Sequence, residues 1–292
     1  LNKRQKNVQK EMLKSEKQIL ADLEKTYRSA LDEVNEKIQI LLSQDQTQSK
    51  IYQLKYQMSL KDQLTEVINR LHNDSYESIE DYLKKCYEDG FISSMYNLDG
   101  YGIPMYLPID QRNILDMVSK TGDNIKLSKK LYDNLETMKS TALSEISRGI
   151  ASGLSYAEIA RNISEVGGTH LRNAQRIART EGHRVQEESK HQAMQKAKEN
   201  GADIVKVWDS TMDGITRPEH RTLNGQIREL EEDYTVNGYS GPHPGGFGSA
   251  YMDVNCRCCS LEMPRWALGN DFTKMDNDTK SFTSYKLHYK KG

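Results

Sequence analysis

Apolar side chains recur in steps of three and four over residues 1 to about 42, at Leu20, Leu23, Tyr27, Ala30, Val34, Ile38 and Leu41. That spacing lays one stripe along a helix and predicts a long amphipathic α-helix. The polar, aperiodic stretch 43–49 interrupts it, and helical spacing resumes at Ile51, Leu54, Met58, Leu64, Ile68 and Leu71. Two such helices form a hairpin that buries its own stripes, or an arm that lays them on a partner; periodicity does not choose between the two. A third helix is expected from Asp74, with Glu77 at the capping-box position, to Gly90 as a left-handed stop. Cys86 lies on it and reads as a small buried hydrophobe. The turn formers at 97–104 predict a bend or short hairpin at the end of this arm.

From Asp110 the helical period returns, with Ile114, Leu115 and Val118 on one face, and a longer helix is expected over 127–153. Ser155 and Glu158 make a capping box for a short helix at 156–165, which Gly167 and Gly168 end. Another long helix is expected over 173–200, closed by Gly201. There the period changes. Residues 203–209 alternate apolar and polar with β-formers and predict a half-buried strand, Pro218 suits the first turn of a short helix to Leu223, and 234–248 is a Gly/Pro-rich loop. A second strand is expected within 255–263. The fold class is therefore α+β, predominantly α-helical, with a long helical N-terminal arm and a small C-terminal α+β module. The expected divisions are a partner-docking arm at 1–105, a helical region at 106–200 leading into the module at 201–264, and a tail at 265–292.

Only 36% of the 292 residues are hydrophobic and 28% are charged, which favours long solvated helices. Lys and Arg number 41 against 42 Asp and Glu, so no global field draws the chain to DNA or to an anionic membrane. No apolar run approaches the ~20 residues that span a bilayer, and no signal-peptide pattern opens the chain. It begins at Leu1, not Met, as a processed form or a fragment of something longer would. Of four cysteines, Cys86 stands alone and Cys256, Cys258 and Cys259 crowd together, a poor disulfide framework that fits a reducing compartment.

Four pieces stand in order. Ala178-Arg-Thr-Glu181 falls on a helix and Lys206-Val-Trp208 on a strand. Asp213-Gly-Ile-Thr-Arg-Pro-Glu-His-Arg-Thr-Leu-Asn-Gly225 then precedes Asn255-Cys-Arg-Cys258. Together with the lead Gly153-Leu-Ser-Tyr-Ala-Glu-Ile-Ala160, this set resembles the phage head-morphogenesis family named for the F protein of phage Mu, over roughly residues 150–263. The resemblance implies a bacteriophage minor head protein, present in low copy inside the head. It also implies association with the portal and the capsid or scaffolding protein during assembly in the host cytoplasm, and a link to DNA packaging or ejection. It implies no established catalysis. Some relatives continue into C-terminal toxin domains, for which the 28 residues after Pro264 are too few.

Many relatives read Cys-Pro-x-Cys before Leu-x-Gly and His-x-x-Cys-x-Cys at the end, a set suited to tetrahedral zinc. Here Arg217 and His220 occupy the two early cysteine positions and Asp253 the later histidine position, which leaves His220, Cys256 and Cys258, with Asp253, as the zinc alternative. The favoured reading is a metal-free staple in which Arg217 pairs with Asp253 and His220 bonds Asp213 or backbone, because an arginine would put positive charge where the cation sits. Arg179, Glu181, Trp208, Gly225, Asn255 and Arg257 complete that staple. Arg179 and Glu181 read as organising salt-bridge formers and Trp208 as a core anchor. His72, His170, His183, His191, His243 and His288 have no metal-like spacing and read as solvated.

Two other classes of function remain open in the sequence. His220, Asp213 and the cysteine pair would serve a metal-dependent hydrolase or nuclease. The tail, with Lys274, Lys280, Lys286, Lys290 and Lys291 among Phe282, Tyr285 and Tyr289, would touch DNA through phosphates and stacking, or form a terminal strand pair on the module, which is the favoured reading.

Overall fold

The computed structural model describes residues 1–43, 50–119, 127–152, 154, 156–269 and 281–290. The linker at 44–49, the cap at Ser155, and Lys274, Lys280 and Lys291 of the tail lie outside these. Within them the chain is mainly helical with a small antiparallel sheet module near the end of the sequence, the α+β class its periodicity predicts. It forms two compact units from discontinuous segments. Unit 1 takes Leu1–Lys17, Asp81–Asn124 and Ala178–Gly292, and unit 2 takes Gln18–Glu80 and Ile125–Ile177. No helix among the described residues is long and apolar enough to cross a membrane.

Five helices precede the sheet: α1 (Lys3–Ser43), α2 (Lys50–Gly100), α3 (Gln111–Ser119), α4 (Leu127–Ala151) and α5 (Tyr156–Glu199). Two expected breaks are absent. The helix expected to start at Asp74 and stop at Gly90 is part of α2, and α5 runs through Gly167 and Gly168 without interruption. These glycines are not all stops. A Cβ on Gly90 would collide with the Ser189 side chain and the backbone carbonyl of Gln186, and one on Gly167 would strike the Leu31 side chain. Each lets two helices approach more closely than alanine permits, at a propensity cost of ~1 kcal/mol.

That reading reverses the usual sign of a substitution. Gly90→Ala is expected to destabilise by about 1–3 kcal/mol, because a backbone carbonyl cannot turn aside as a side chain can. Gly168→Ala, whose Cβ would meet only the Arg172 guanidinium at 3.7 Å, is expected to stabilise by about 0.5–1 kcal/mol. Urea denaturation of the two variants beside the parent chain measures both.

Unit 2 is a helical assembly with two apolar centres. One gathers Val34, Leu64, Val67, Ile146, Ile159 and Ile163; the other gathers Tyr27, Ile68, Leu71, Leu135, Met138 and Ala174. The stripe read from Tyr27 and Val34 of α1 and from Leu64, Ile68 and Leu71 of α2 is thus buried within the chain. On α3 only Ile114 and Val118 turn inward. Leu115, expected on their face, is 61% exposed, because one residue advances the helix by about 100° while four return it.

In unit 1, Phe91, Met95 and Tyr96 of α2 pack with Met194 and Ala197 of α5, with Val8 of α1 and with Ile204. Ile204 opens β1 (Ile204–Asp209), the middle strand of a sheet ordered β2-β1-β5, with β2 at Ile227–Arg228 and β5 at Cys259–Pro264. Both neighbours run antiparallel to β1, and Trp208 lies opposite Ser260. The strand is more buried than its alternation predicts: even Lys206 is fully covered, its ammonium donating to the carbonyls of Leu230 at 3.1 Å and Pro242 at 2.7 Å. These bonds replace the water a buried cation loses.

Between β1 and β2 lies α6 (Pro218–Leu223), with Pro218 in its first turn as predicted. The expected loop at 234–248 contains a hairpin, β3 (Tyr234–Val236) and β4 (Tyr239–Gly241), whose turn residues Asn237 and Gly238 have φ of 48° and 81°. A short helix, α7 (Ala250–Asp253), and a left-handed Asn255 at φ 54° delay the second expected strand to Cys259. Residues 282–289 of the tail form a helix, α8 (Phe282–Tyr289), and not a strand: Ser281 caps it by accepting from the Ser284 amide, and Phe282 and Tyr285 are buried against Tyr96. Lys286 pairs with Asp89 at 2.7 Å, and Lys290 pairs with Glu88, so both lysines are engaged within the unit.

Candidate functional site

β1 carries Trp208 into a cluster with Leu223, Tyr234, Met252, Cys256 and Cys258. Its ring meets His220, Tyr234 and Phe247 edge to face at centroid distances of 5.6, 5.1 and 5.9 Å. The indole N–H donates to Ser210 Oγ at 2.9 Å, and that hydroxyl donates to the His220 carbonyl at 2.6 Å. Gly225, at φ 77°, turns the chain after α6 so that its amide reaches the Trp208 carbonyl at 2.8 Å. Strand, loop and α6 are thereby held as one piece.

His220 is 2% exposed, and its Nδ1 lies 3.7 Å from Cys256 Sγ and 3.3 Å from Cys258 Sγ. The local chain explains why both sulfurs reach it. Asn255 turns in the left-handed region with its amide on Thr180 Oγ1 at 3.3 Å, after which alternation points Cys256 and Cys258 inward and Arg257 outward. Arg257 grips Asp213 with two hydrogen bonds of 2.6 and 2.9 Å. This guanidinium holds the Asp213 carboxyl well below the usual carboxylate range. The cysteines diverge: the hydrogen bond between them lowers Cys258, aided by His220 and Ser210, and raises Cys256, with burial in support.

The cross-bracing therefore uses pairings other than those expected. Arg217 does not reach Asp253. It donates to the Val254 carbonyl at 2.7 Å and stacks over the Tyr251 ring at 5.7 Å, while Asp253 accepts from the amides of Phe247 at 3.2 Å and Ser249 at 3.1 Å. Helix ends explain the exchange: the amides before α7 need an acceptor and the carbonyl after it needs a donor, and these two side chains supply them. His220 likewise meets sulfur, and not Asp213. Arg179 and Glu181 stay outside the cluster, Arg179 pairing with Glu16 at 2.8 Å and Glu181 with Arg184 at 2.7 Å, and the Thr180 between them makes the contact instead.

Several histidines read as solvated, and acids that sequence reasoning passed over, are buried or half-buried here. Glu187 of α5 accepts from the Ser260 amide at 2.7 Å and from Lys190 at 2.6 Å. Glu188 is 2.6 Å from His243, His183 donates to the Cys258 carbonyl at 2.7 Å, and His191 is 7% exposed beside His243. His170 is also buried, in unit 2 against Asn134. Of the six histidines expected in solvent, His288 is there. A buried acid on a charged helix carries no local signature; for His243 the flanking Pro242 and Pro244 were the available sign of a fixed position. Next to the cysteines lies a cavity of about 630 Å³ whose wall includes Arg179, His183, Lys190, Cys256 and Cys258.

The segment that builds this cluster, residues 141–261, matches the family model described as Phage Mu protein F like protein. This stretch is similar to the Mu F-like domain of the phage head-morphogenesis family. The chain is 29% identical over 204 residues to Minor head protein GP7 of Bacillus phage SPP1, covering 67% of this chain and 60% of that protein. It is also 30% identical over 292 residues to the NAD(+)--arginine ADP-ribosyltransferase EFV of Enterococcus faecalis, covering 99% of this chain and 60% of that protein. The chain thus spans 60% of the length of each of these curated relatives. No solved structure matches it. The Mu F-like domain takes in α5 and every residue of the Trp208 and His220 cluster.

Proposed function

We propose that the chain is a minor head component of a tailed bacteriophage, which joins the portal and the growing shell in the host cytoplasm and stays inside the finished head, where it assists DNA packaging or ejection. The observation behind this reading is the Mu F-like match over 141–261 together with the likeness to a minor head protein. The geometry agrees with a rigid assembly part: the charged and aromatic side chains of the cluster are spent on holding β1, α6 and α7 together. Asp213, the carboxylate a hydrolase would use as base, is instead locked to Arg257. To test the reading, procapsids and finished particles are isolated from cells infected with a phage encoding the chain, and both are probed for it and for the portal protein. Co-purification with portal-containing particles is the expected result. Absence from procapsids and virions alike overturns it.

A second reading has one observation in its favour, the 30% identity to a protein named as an arginine ADP-ribosyltransferase. Incubation of the folded chain with labelled NAD+ and an arginine-rich acceptor tests it. Label on the acceptor establishes the transferase reading; label no greater than with heat-denatured chain removes it.

A further inference from the structure

We propose that His220, Cys256 and Cys258 form a zinc site with three protein ligands. The three donors converge in the interior, and their ligand atoms all lie within 4.8 Å of one another. Zinc bonds of about 2.3 Å to sulfur and about 2.0 Å to nitrogen at a tetrahedral angle require a sulfur–nitrogen edge of about 3.5 Å. The two edges present, 3.3 and 3.7 Å, bracket that value.

The surroundings point the same way. An arginine at a ligand position would argue against a cation, but Arg217 turns its guanidinium to the Val254 carbonyl and the Tyr251 ring, away from the sulfurs. Asp253 is withdrawn from the donor set by the two amides it caps. The protein therefore supplies two sulfurs and one imidazole, a soft set that selects zinc over magnesium or calcium. With zinc bound, two thiolates, one neutral imidazole and Zn2+ leave the site with no net charge. Three protein ligands leave the fourth place to water, which reaches the cluster from the cavity that Cys256 and Cys258 help to line. The site rests on this geometry alone and would exist whether or not the chain joins a phage head.

The test uses the full chain, reduced, stripped with chelator and dialysed, then titrated with Zn2+ against a chromophoric chelator. One equivalent is expected to bind, with a higher Tm, and Co2+ in its place is expected to give sulfur-to-cobalt charge-transfer absorption. Cys258→Ser and His220→Ala are expected to weaken binding at least tenfold, whereas Cys259→Ser and Asp253→Asn leave it unchanged. Because His220 and Cys258 are buried, their variants could fail to fold; the Co2+ spectrum of the parent decides without them. Less than 0.1 equivalent of tightly held ion, or cobalt bound without a thiolate band, overturns the proposal. So does a Cys259→Ser variant that loses the site.

Discussion

Trp208→Ala is expected to unfold the Mu F-like module more than any other single truncation in it, at a cost of about 3–5 kcal/mol. The residue is 1% exposed, meets three rings edge to face and donates its N–H to Ser210, so truncation opens a cavity and also removes one hydrogen bond from the buried hydroxyl that links β1 to α6. Trp266 is the internal control: it is the only other tryptophan, it is 51% exposed, and Trp266→Ala is expected to change stability by no more than about 0.5 kcal/mol. Hydrogen exchange followed by mass spectrometry on peptides from 204–264 measures the difference. Equal protection in the two variants would show that Trp208 is not the anchor.

Acid is expected to destabilise unit 1 through the buried His191. Burial lowers His191 from 6.5 to about 4, and the nearby charges of His243 and Lys206 push the same way. Between these values an unfolded chain carries the proton and the folded chain does not, so the unfolded state binds more protons and stability falls as pH drops from 6.5 through 4. The span corresponds to roughly 2–3 kcal/mol. Glu188 adds to the loss lower down: burial is the largest single influence and would raise its carboxyl, but the hydrogen bonds from His243 and Gln192 and the electrostatic attraction of His243 together outweigh it and take the group to about 2, so its contribution is present above 4.5 and lost as pH falls through 2. Both tryptophans belong to unit 1, and their emission during urea titrations at pH 7, 5.5 and 4 follows it. His191→Leu is expected to flatten the decline between pH 6.5 and 4; an unchanged slope would assign it to other groups.

Local signals were legible where one residue type has one backbone consequence. Pro218 marked the first turn of α6 correctly because its fixed φ suits that position. Asn237-Gly238 between Val236 and Tyr239 carries the strongest two-residue hairpin signal, and it was hidden by the run of glycines and prolines after it, which made 234–248 look like an unbroken loop. Glycine was misread at Gly90 and Gly167 for a different reason. A stop and a close helix crossing both call for a missing side chain, and only the partner, Ser189 or Leu31, tells them apart. The cluster obeyed the same rule. That 213–225 and 253–258 belong together was readable from their order, yet the exchange of partners among Asp213, Arg217, Asp253 and Arg257 depends on which backbone groups the short α7 leaves open, a property of the folded loop and not of the residue list.

Val8 shares an apolar centre with Phe282 and Tyr285. A ribosome delivers these contacts in an inconvenient order, since Val8 is made long before Phe282 and Tyr285, the last members of its centre. Until then the centre that Val8 shares with α2 and α5 lacks its α8 members, and completion of unit 1 waits on a long loop closure. Synthesis therefore gates the maturation of this unit, and truncated products ending before residue 282 would emerge with the Tyr96 face that Phe282 and Tyr285 cover exposed and prone to aggregate.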